Sequence, residues 1–273
     1  MSIVRRILGS LEARLSQPRL SLWRTLYVNF RLLPFKEAVK LPIFIYGKVR
    51  LFILSGKVQF NSTIYRGMVK IGVNGDSFSL FDNSGYIQLA DKNSIIEFDG
   101  PCRIALNTKV RVVCGRLKFG ENTRIGSNCR IICNGADITI GRYTGVTFDC
   151  QIMNSGFHYM YDINEQAYIN RSTDIRIGSF NWIGNHSFVS GNTVTPDYTI
   201  VAQDSLLNKS YVDVPEYSLL AGIPAKFIKT GIKRVFSPET ERKINNLFKN
   251  HQKDKIIHCD EIYDDFKAII QEM

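Results

Sequence analysis

FGENTRIGSNCRIICNGADITIGRYTGVTFDCQIM, Phe119 to Met153, repeats itself in a way that neither a helix nor a strand with a long loop explains. Its aliphatic and aromatic positions step by six, as Phe119, Ile125 and Ile131 and then Ile140, Val146 and Ile152, the second triplet starting 21 residues after the first. Phe98, Ile104 and Val110 form an earlier triplet at the same offset. Ile177, Ile183 and Val189 form a later one, and Val194, Ile200, Leu206 and Val212 continue the step toward the C-terminus. Gly follows directly after Phe119, Ile125, Ile140, Ile177 and Ile183.

Self-similarity at a fixed period marks a repeat architecture. A step of six fits short strands separated by tight corners in a three-sided coil. The aliphatic side chain points into the prism, Gly relaxes the corner, and the intervening polar residues face solvent. Stacked coils pair each strand with the one above it, so the domain is a quasi-one-dimensional β-solenoid. An α/β protein of coincidental spacing would have to align five triplets by chance.

Size and charge bound the partners. The chain has 273 residues, 44% hydrophobic and 22% charged, as in an ordinary globular protein. Its formal charge is +10, yet Met1–Arg50 holds ten Lys/Arg and two acids, so most of the excess lies there. Glu12, Arg14 and Gln17-Pro18-Arg19 break any secretory apolar run after Arg5 and Arg6, which reads as a cytoplasmic start. The apolar LPIFIY at Leu41–Tyr46 is far short of the ~20 residues a membrane span needs. Cys102, Cys114, Cys129, Cys133, Cys150 and Cys259 include no CxxC unit and no histidines at ligand spacing, so buried thiols are expected and no metal is required.

A solenoid needs its ends closed. Residues 1–50 read as a basic amphipathic segment, with Ile3, Val4, Ile7, Leu8, Leu11 and Leu15 at helical spacing among arginines. Its mixture of cations and aromatics suits anionic lipid head groups or a polyanionic glycan, and equally a cap or interface helix. Residues 51–229 read as the β-helix, with a loop insertion at about 153–176, and 230–273 as a C-terminal helical cap. There Ser237-Pro238-Glu239 reads as N-cap, first-turn proline and acid of a helix to about Lys249, followed by a second helix over about Asp260–Gln271.

IGSFNWIGNHSFVSG (Ile177–Gly191) and VDVPEYSLLAGIPAKFIK (Val212–Lys229) closely resemble the left-handed parallel β-helix acyltransferases with hexapeptide repeats, most of all bacterial O-acetyltransferases of sugars and polysaccharides. The resemblance is strong over about Ile138–Lys229 and implies the left-handed coil, acetyl-CoA as co-substrate, a homotrimer with active sites between subunits, and a sugar rather than a nucleic acid as acceptor. The N-terminal segment resembles the leader of some cell-surface polysaccharide O-acetyltransferases, which implies a peripheral place at the inner face of the membrane.

The repeat breaks once, where Ile152 and Ile177 are 25 residues apart. A loop extruded from a rigid wall is a natural seat for function, and this one, NSGFHYMYD (Asn154–Asp162), carries His158. Histidine titrates near neutral pH and suits a general base. In the family resembled, a loop histidine at this point takes the proton of the acceptor hydroxyl, a role that falls on His158. Asp162, four residues on, is the candidate to orient it, and the backbone N–H groups around Gly184–Ser187 are candidates for the oxyanion. His186 reads as a solvent-facing corner residue, and His251 and His258 as surface residues.

The resemblance also implies donor contacts. Trp182, Gly184 and Asn185 match its Trp-Ile-Gly-Asn segment beside the acyl-donor groove. Ala202 and Lys209 fall in IVAQDSLLNK, where Gln203, Asp204 and Asn208 depart from the usual corner. Pro224 and Lys226 match its closing Pro-Ala-Lys, beside the nucleotide end of the donor. Asn128, Asn134 and Tyr159 are candidates to line the acceptor. Two other acceptors suit the same fold: the amine of a nucleotide sugar, as in N-acetyltransferases, and a small-molecule drug.

Overall fold

The structure, a computed structural model, describes residues 17–74, 84–250 and 256–257. The helices expected over Ile3–Leu15 and Asp260–Gln271 lie outside these residues, as do His251, His258 and Cys259. The chain divides into two units, Met1–Ile232 and Lys233–Met273.

In the first unit, helix α1 (Leu22–Leu32) and a single turn α2 (Phe35–Ala38) precede the solenoid. The coils run β1 (Ile43–Ile45), β2 (Arg50–Leu54), β3 (Lys57–Phe60); β4 (Val69–Val73), β5 (Tyr86–Leu89), β6 (Ile95–Phe98); β7 (Cys102–Ala105), β8 (Lys109–Val113), β9 (Arg116–Phe119); β10 (Thr123–Ile125), β11 (Arg130–Asn134), β12 (Ile138–Ile140). The fifth coil is β13 (Gly145–Val146), β14 (Gln151–Met153) and β17 (Ile175–Ile177), interrupted by a hairpin of β15 (Met160–Asp162) and β16 (Ala167–Ile169). Then come β18 (Trp182–Ile183), β19 (Phe188–Ser190), β20 (Ile200–Val201) and β21 (Leu206–Leu207), and an antiparallel pair, β22 (Leu219–Gly222) and β23 (Ala225–Lys229), ends the stack.

Three faces result. Face A has the strand order β1-β4-β7-β10-β13-β18-β20-β22-β23, face B β2-β5-β8-β11-β14-β19-β21, and face C β3-β6-β9-β12-β17. Single bridges from Arg176 to Val194 and from Val194 to Ser210 carry face C upward. The solenoid thus begins at Ile43, upstream of the boundary expected at residue 50 and well before Phe98. Its first two coils escape the step of six because Asn61–Met68 and the segment before Tyr86 lengthen them.

The core is the inward column of each face. Phe60, Phe98 and Phe119 stack at 5.6 and 5.4 Å between ring centroids, and Ile140 and Ile177 continue the column. Burying each such side chain fully is worth roughly 1.5–3 kcal/mol, so no single coil dominates the stack. Beyond Val189 the structure corrects the expected phase by one residue. Thr195, Val201 and Leu207 are buried, whereas Val194, Ile200 and Leu206 are half-buried and Val212 is exposed. The step of six from Val189 never slipped. A polar side chain hid it: Thr195 Oγ1 lies inside because it accepts hydrogen bonds from Gly178 N (3.0 Å) and Asn181 Nδ2 (2.6 Å).

Two corners carry columns of left-handed backbone. Between faces A and B these are Asn107, Asn128, Asp149, His186 and Asp204, residue types that tolerate positive φ. Between C and A they are Asn122, Tyr143, Phe180, Tyr198 and Tyr217. Aromatic residues are poor choices for this conformation, and here their rings compensate one another. Tyr143, Phe180, Tyr198 and Tyr217 stack in sequence at 5.3, 4.7 and 4.5 Å, contacts worth about 0.5–1.5 kcal/mol each.

In the second unit, α3 (Pro238–Asn250) starts where the sequence signals it. Ser237 Oγ accepts the N–H of Thr240 at 3.2 Å, and Glu239 pairs with Lys243 one turn on.

Candidate active site

The interruption is a β-hairpin seated on the corner between faces B and C. Asn154, buried at its base, accepts Asn134 N–H through Oδ1 (2.8 Å) and Thr173 N–H through its carbonyl (3.0 Å). Ser155 and Ser172 bridge the two legs and share a 3.0 Å hydroxyl contact. Above them Gly156 N–H donates to Arg171 O, and the Arg171 guanidinium donates to Phe157 O and covers the Tyr159 ring at 4.9 Å. The hairpin is therefore held by its own hydrogen bonds rather than being a slack loop. Asn154 anchors the base of the hairpin, a structural role that sequence reasoning missed. Its position directly before the break is the only trace it leaves in the sequence.

His158 stands exposed on the ascending leg, and no hydrogen bond or ion pair joins it to another described residue. No hydrogen bond or ion pair joins Asp162 to it. Its Oδ1 accepts the N–H groups of Asn164 (2.9 Å) and Glu165 (3.0 Å), closing the turn between β15 and β16. Large side chains crowd the hairpin surface: Tyr159, Met160, Tyr161, Ile163 and Tyr168 are all at least half exposed.

His186 has a better furnished setting than expected. It lies on the A/B corner with its Nε2 3.6 Å from Asp149 and its Nδ1 3.9 Å from Asp204, one acid on the coil below and one on the coil above. The amides around it are committed to the stack: Gly184 N–H donates to Val201 O and His186 N–H to Phe148 O, so neither is free for an oxyanion as expected. Gly184 is required by close approach, since a Cβ there would sit 2.5 Å from the Gln203 backbone N. Asn185 O accepts Asp204 N–H, and Ala202 O accepts the Ser187 hydroxyl.

The remaining candidates scatter over the prism. Asn128 belongs to the A/B corner, where its Oδ1 accepts Asn107 Nδ2 at 3.1 Å. Asn134 lies one coil below the hairpin, its backbone already used to seat Asn154. Lys209 is on the B/C corner with its ammonium 5.6 Å from the Tyr211 ring centroid. Pro224 occupies the turn of the closing β22–β23 pair and Lys226 its exposed second strand.

Trp182 faces outward on face A, in register with Gly145 below and Ile200 above. Face A lies across the prism from the B/C corner, so one chain does not bring Trp182 and His158 together. Below Gly145 the same outward column reads Lys70, Arg103 and Arg124. At its foot a cavity of about 310 Å³ is lined by Phe44, Tyr46, Tyr65, Arg66, Lys70 and Arg103.

The described thiols differ: the hydrogen bond with Cys129 holds Cys150 below the ordinary thiol range, and Cys114 is exposed rather than buried as expected. Burial pushes Cys102 and Cys129 well up, and Cys133 to about 12, so all three are protonated at neutral pH. Among the described residues no group of three or more His, Cys, Asp or Glu could hold a metal ion.

No family model and no curated protein matches the chain. Among solved structures its fold is similar to that of the polysialic-acid-specific acetyltransferase NeuO, with a TM-score of 0.54 and 18% identity over 76% of this chain and 99% of that one. Lower scores link it to the polysialic acid O-acetyltransferase OatWY (TM-score 0.46, 17% identity, 73% and 95% of the two chains). AntD, an N-acyltransferase from Bacillus cereus, gives 0.43 and 14% over 81% and 98%. The fold shared with NeuO is a left-handed parallel β-helix. A fold alone does not assign an activity, which has to rest on the site.

Proposed function

We propose that this protein transfers an acetyl group from acetyl-CoA to a sugar hydroxyl of a cell-surface polysaccharide or its precursor, with His158 as general base. The observation that supports this most is the hairpin, which interrupts the fifth coil, lifts an imidazole off the wall and stands on a hydrogen-bonded base. The imidazole accepts the hydroxyl proton as the sugar oxygen attacks the thioester carbonyl. Collapse of the tetrahedral intermediate breaks the C–S bond, and the imidazolium proton passes to the departing CoA sulfur. No acyl-enzyme is needed.

The assembly in this reading is a homotrimer, in which the hairpin of one copy reaches the Trp182 face of the next. Two features support it: the opposed positions of His158 and Trp182 in one chain, and the exposed aromatic surface of the hairpin. The donor lies along face A beside Trp182, and Lys226 meets its nucleotide phosphate. For the acceptor, the column Lys70, Arg103, Arg124 suits an anionic glycan. The likeness to NeuO makes a polysialic acid the first polymer to try.

Incubation of the enzyme and acetyl-CoA with acidic and neutral glycans, following CoA release, tests the reading. Release with a hydroxyl-bearing glycan that vanishes in His158→Ala is the expected result. Transfer confined to free amines, or full activity in His158→Ala, would overturn it.

A further inference from the structure

Helix α1 is built inside out. Its inner face is half polar: Thr25, Val28, Asn29 and Leu32 are buried. Asn29 and Thr25 there complete the open edge of face A. Asn29 Nδ2 donates to Ile43 O (2.7 Å), Ile43 N–H donates to Asn29 Oδ1 (3.1 Å), and Ile45 N–H donates to Thr25 Oγ1 (3.0 Å). Ser21 N–H adds a bond to Ile45 O. The solenoid edge is thus capped by side chains that mimic a further strand.

The outer face is correspondingly apolar. At 3.6 residues per turn, Leu22, Leu26, Phe30, Trp23 and Tyr27 form one continuous stripe on the side opposite the buried residues. Trp23 is 74% exposed, and Phe35, 73% exposed at the start of α2, extends the patch beside Phe30 at 6.0 Å. An ordinary surface helix has the reverse arrangement. Residues 17–40 carry Arg19, Arg24, Arg31, Lys36 and Lys40, with Glu37 as the one acid.

We infer that this end of the solenoid docks on an anionic lipid bilayer, the stripe entering the head-group boundary and the cations meeting lipid phosphates. An amphipathic helix with bulky apolar residues on one side and cations on its rim lies in that interface. A polyanionic glycan would satisfy the cations but offers no hydrocarbon to take up Leu22, Leu26 and Phe30. A second copy docked through the same patch would bring the two basic rims against each other. Among the described residues no helix is long and apolar enough to cross a membrane, so the contact is one of lying on the surface.

Flotation of the full chain with phosphatidylcholine vesicles, with and without phosphatidylglycerol, tests this. Binding is expected to the anionic vesicles and to fall roughly tenfold or more in Trp23→Ser/Phe30→Ser, whose exposed positions leave the fold and transfer to a soluble acceptor unchanged. Arg31→Gln and Lys36→Gln should each weaken anionic binding about fivefold, with little change on neutral vesicles. The inference is overturned if the double variant floats like the parent, if the parent floats with neither vesicle, if a soluble acidic glycan displaces the vesicles, or if the double variant lowers the solution mass instead.

Discussion

The chain's two described solenoid histidines, His158 and His186, sit in opposite kinds of surroundings. His186 is fixed on the wall, its backbone locked in a corner and its ring between Asp149 and Asp204. His158 has no partner among the described residues and stands on a hairpin that leaves the wall. By local surroundings alone His186 is the better furnished, because two carboxylates flank the imidazole at 3.6 and 3.9 Å. By position the preference reverses: a corner in the middle of a flat stack cannot surround a substrate, whereas a projecting hairpin can reach over a neighbouring face. What counts is access to a reacting pair, which in the proposed trimer forms between copies.

The sharpest way to break the comparison is to remove each ring. His158→Ala should lower kcat by about 10²–10⁴ with the melting curve unchanged, while His186→Ala should stay within about twofold of the parent. The reverse outcome would move the site to the A/B corner. Mixing tests the second half of the idea. His158→Ala and Trp182→Ala chains, each inactive, should on co-refolding regain activity at roughly one site in four if the two residues meet only between copies. No recovery would mean that both act from the same chain.

Smaller effects sharpen the contrast between wall and hairpin. Gly184→Ala forces a Cβ against the next coil beside His186 and should cost on the order of 1–3 kcal/mol of stability, read as a lower melting temperature. Asp162→Ala frees two turn amides of the hairpin and should cost about 1 kcal/mol locally. Its signature is faster amide exchange over β15 and β16 with a several-fold loss of kcat. If Asp162 instead oriented His158, the loss would approach that of His158→Ala.

Much of the fold was legible because the interior of the prism repeats. Phe119, Ile125 and Ile131 announce it, and so does every glycine that a neighbouring coil crowds. The phase was lost at Thr195, since an interior hydroxyl satisfied by Gly178 and Asn181 looks polar in sequence. The first coils stayed hidden because their corners are long. At the candidate site, His158 was legible through the break in the repeat, but the role of Asp162 was not. Spacing of four suggested a partner for the imidazole, and the short hairpin turned that carboxylate onto its own amides. Asp149 and Asp204 lie far from His186 in sequence, and only stacking brings them to it.

By itself, the sequence determined that this chain coils in three-sided turns, because short strands at a step of six with glycine at the corners have few other ways to bury their apolar residues and pair their backbones. It determined equally that something leaves the coil after Met153. Only the tertiary structure decided which face or corner each candidate occupies. That depends on every residue inserted in the coils below it, so His158 and Trp182, neighbours in the reading of the sequence, stand on opposite sides of the prism.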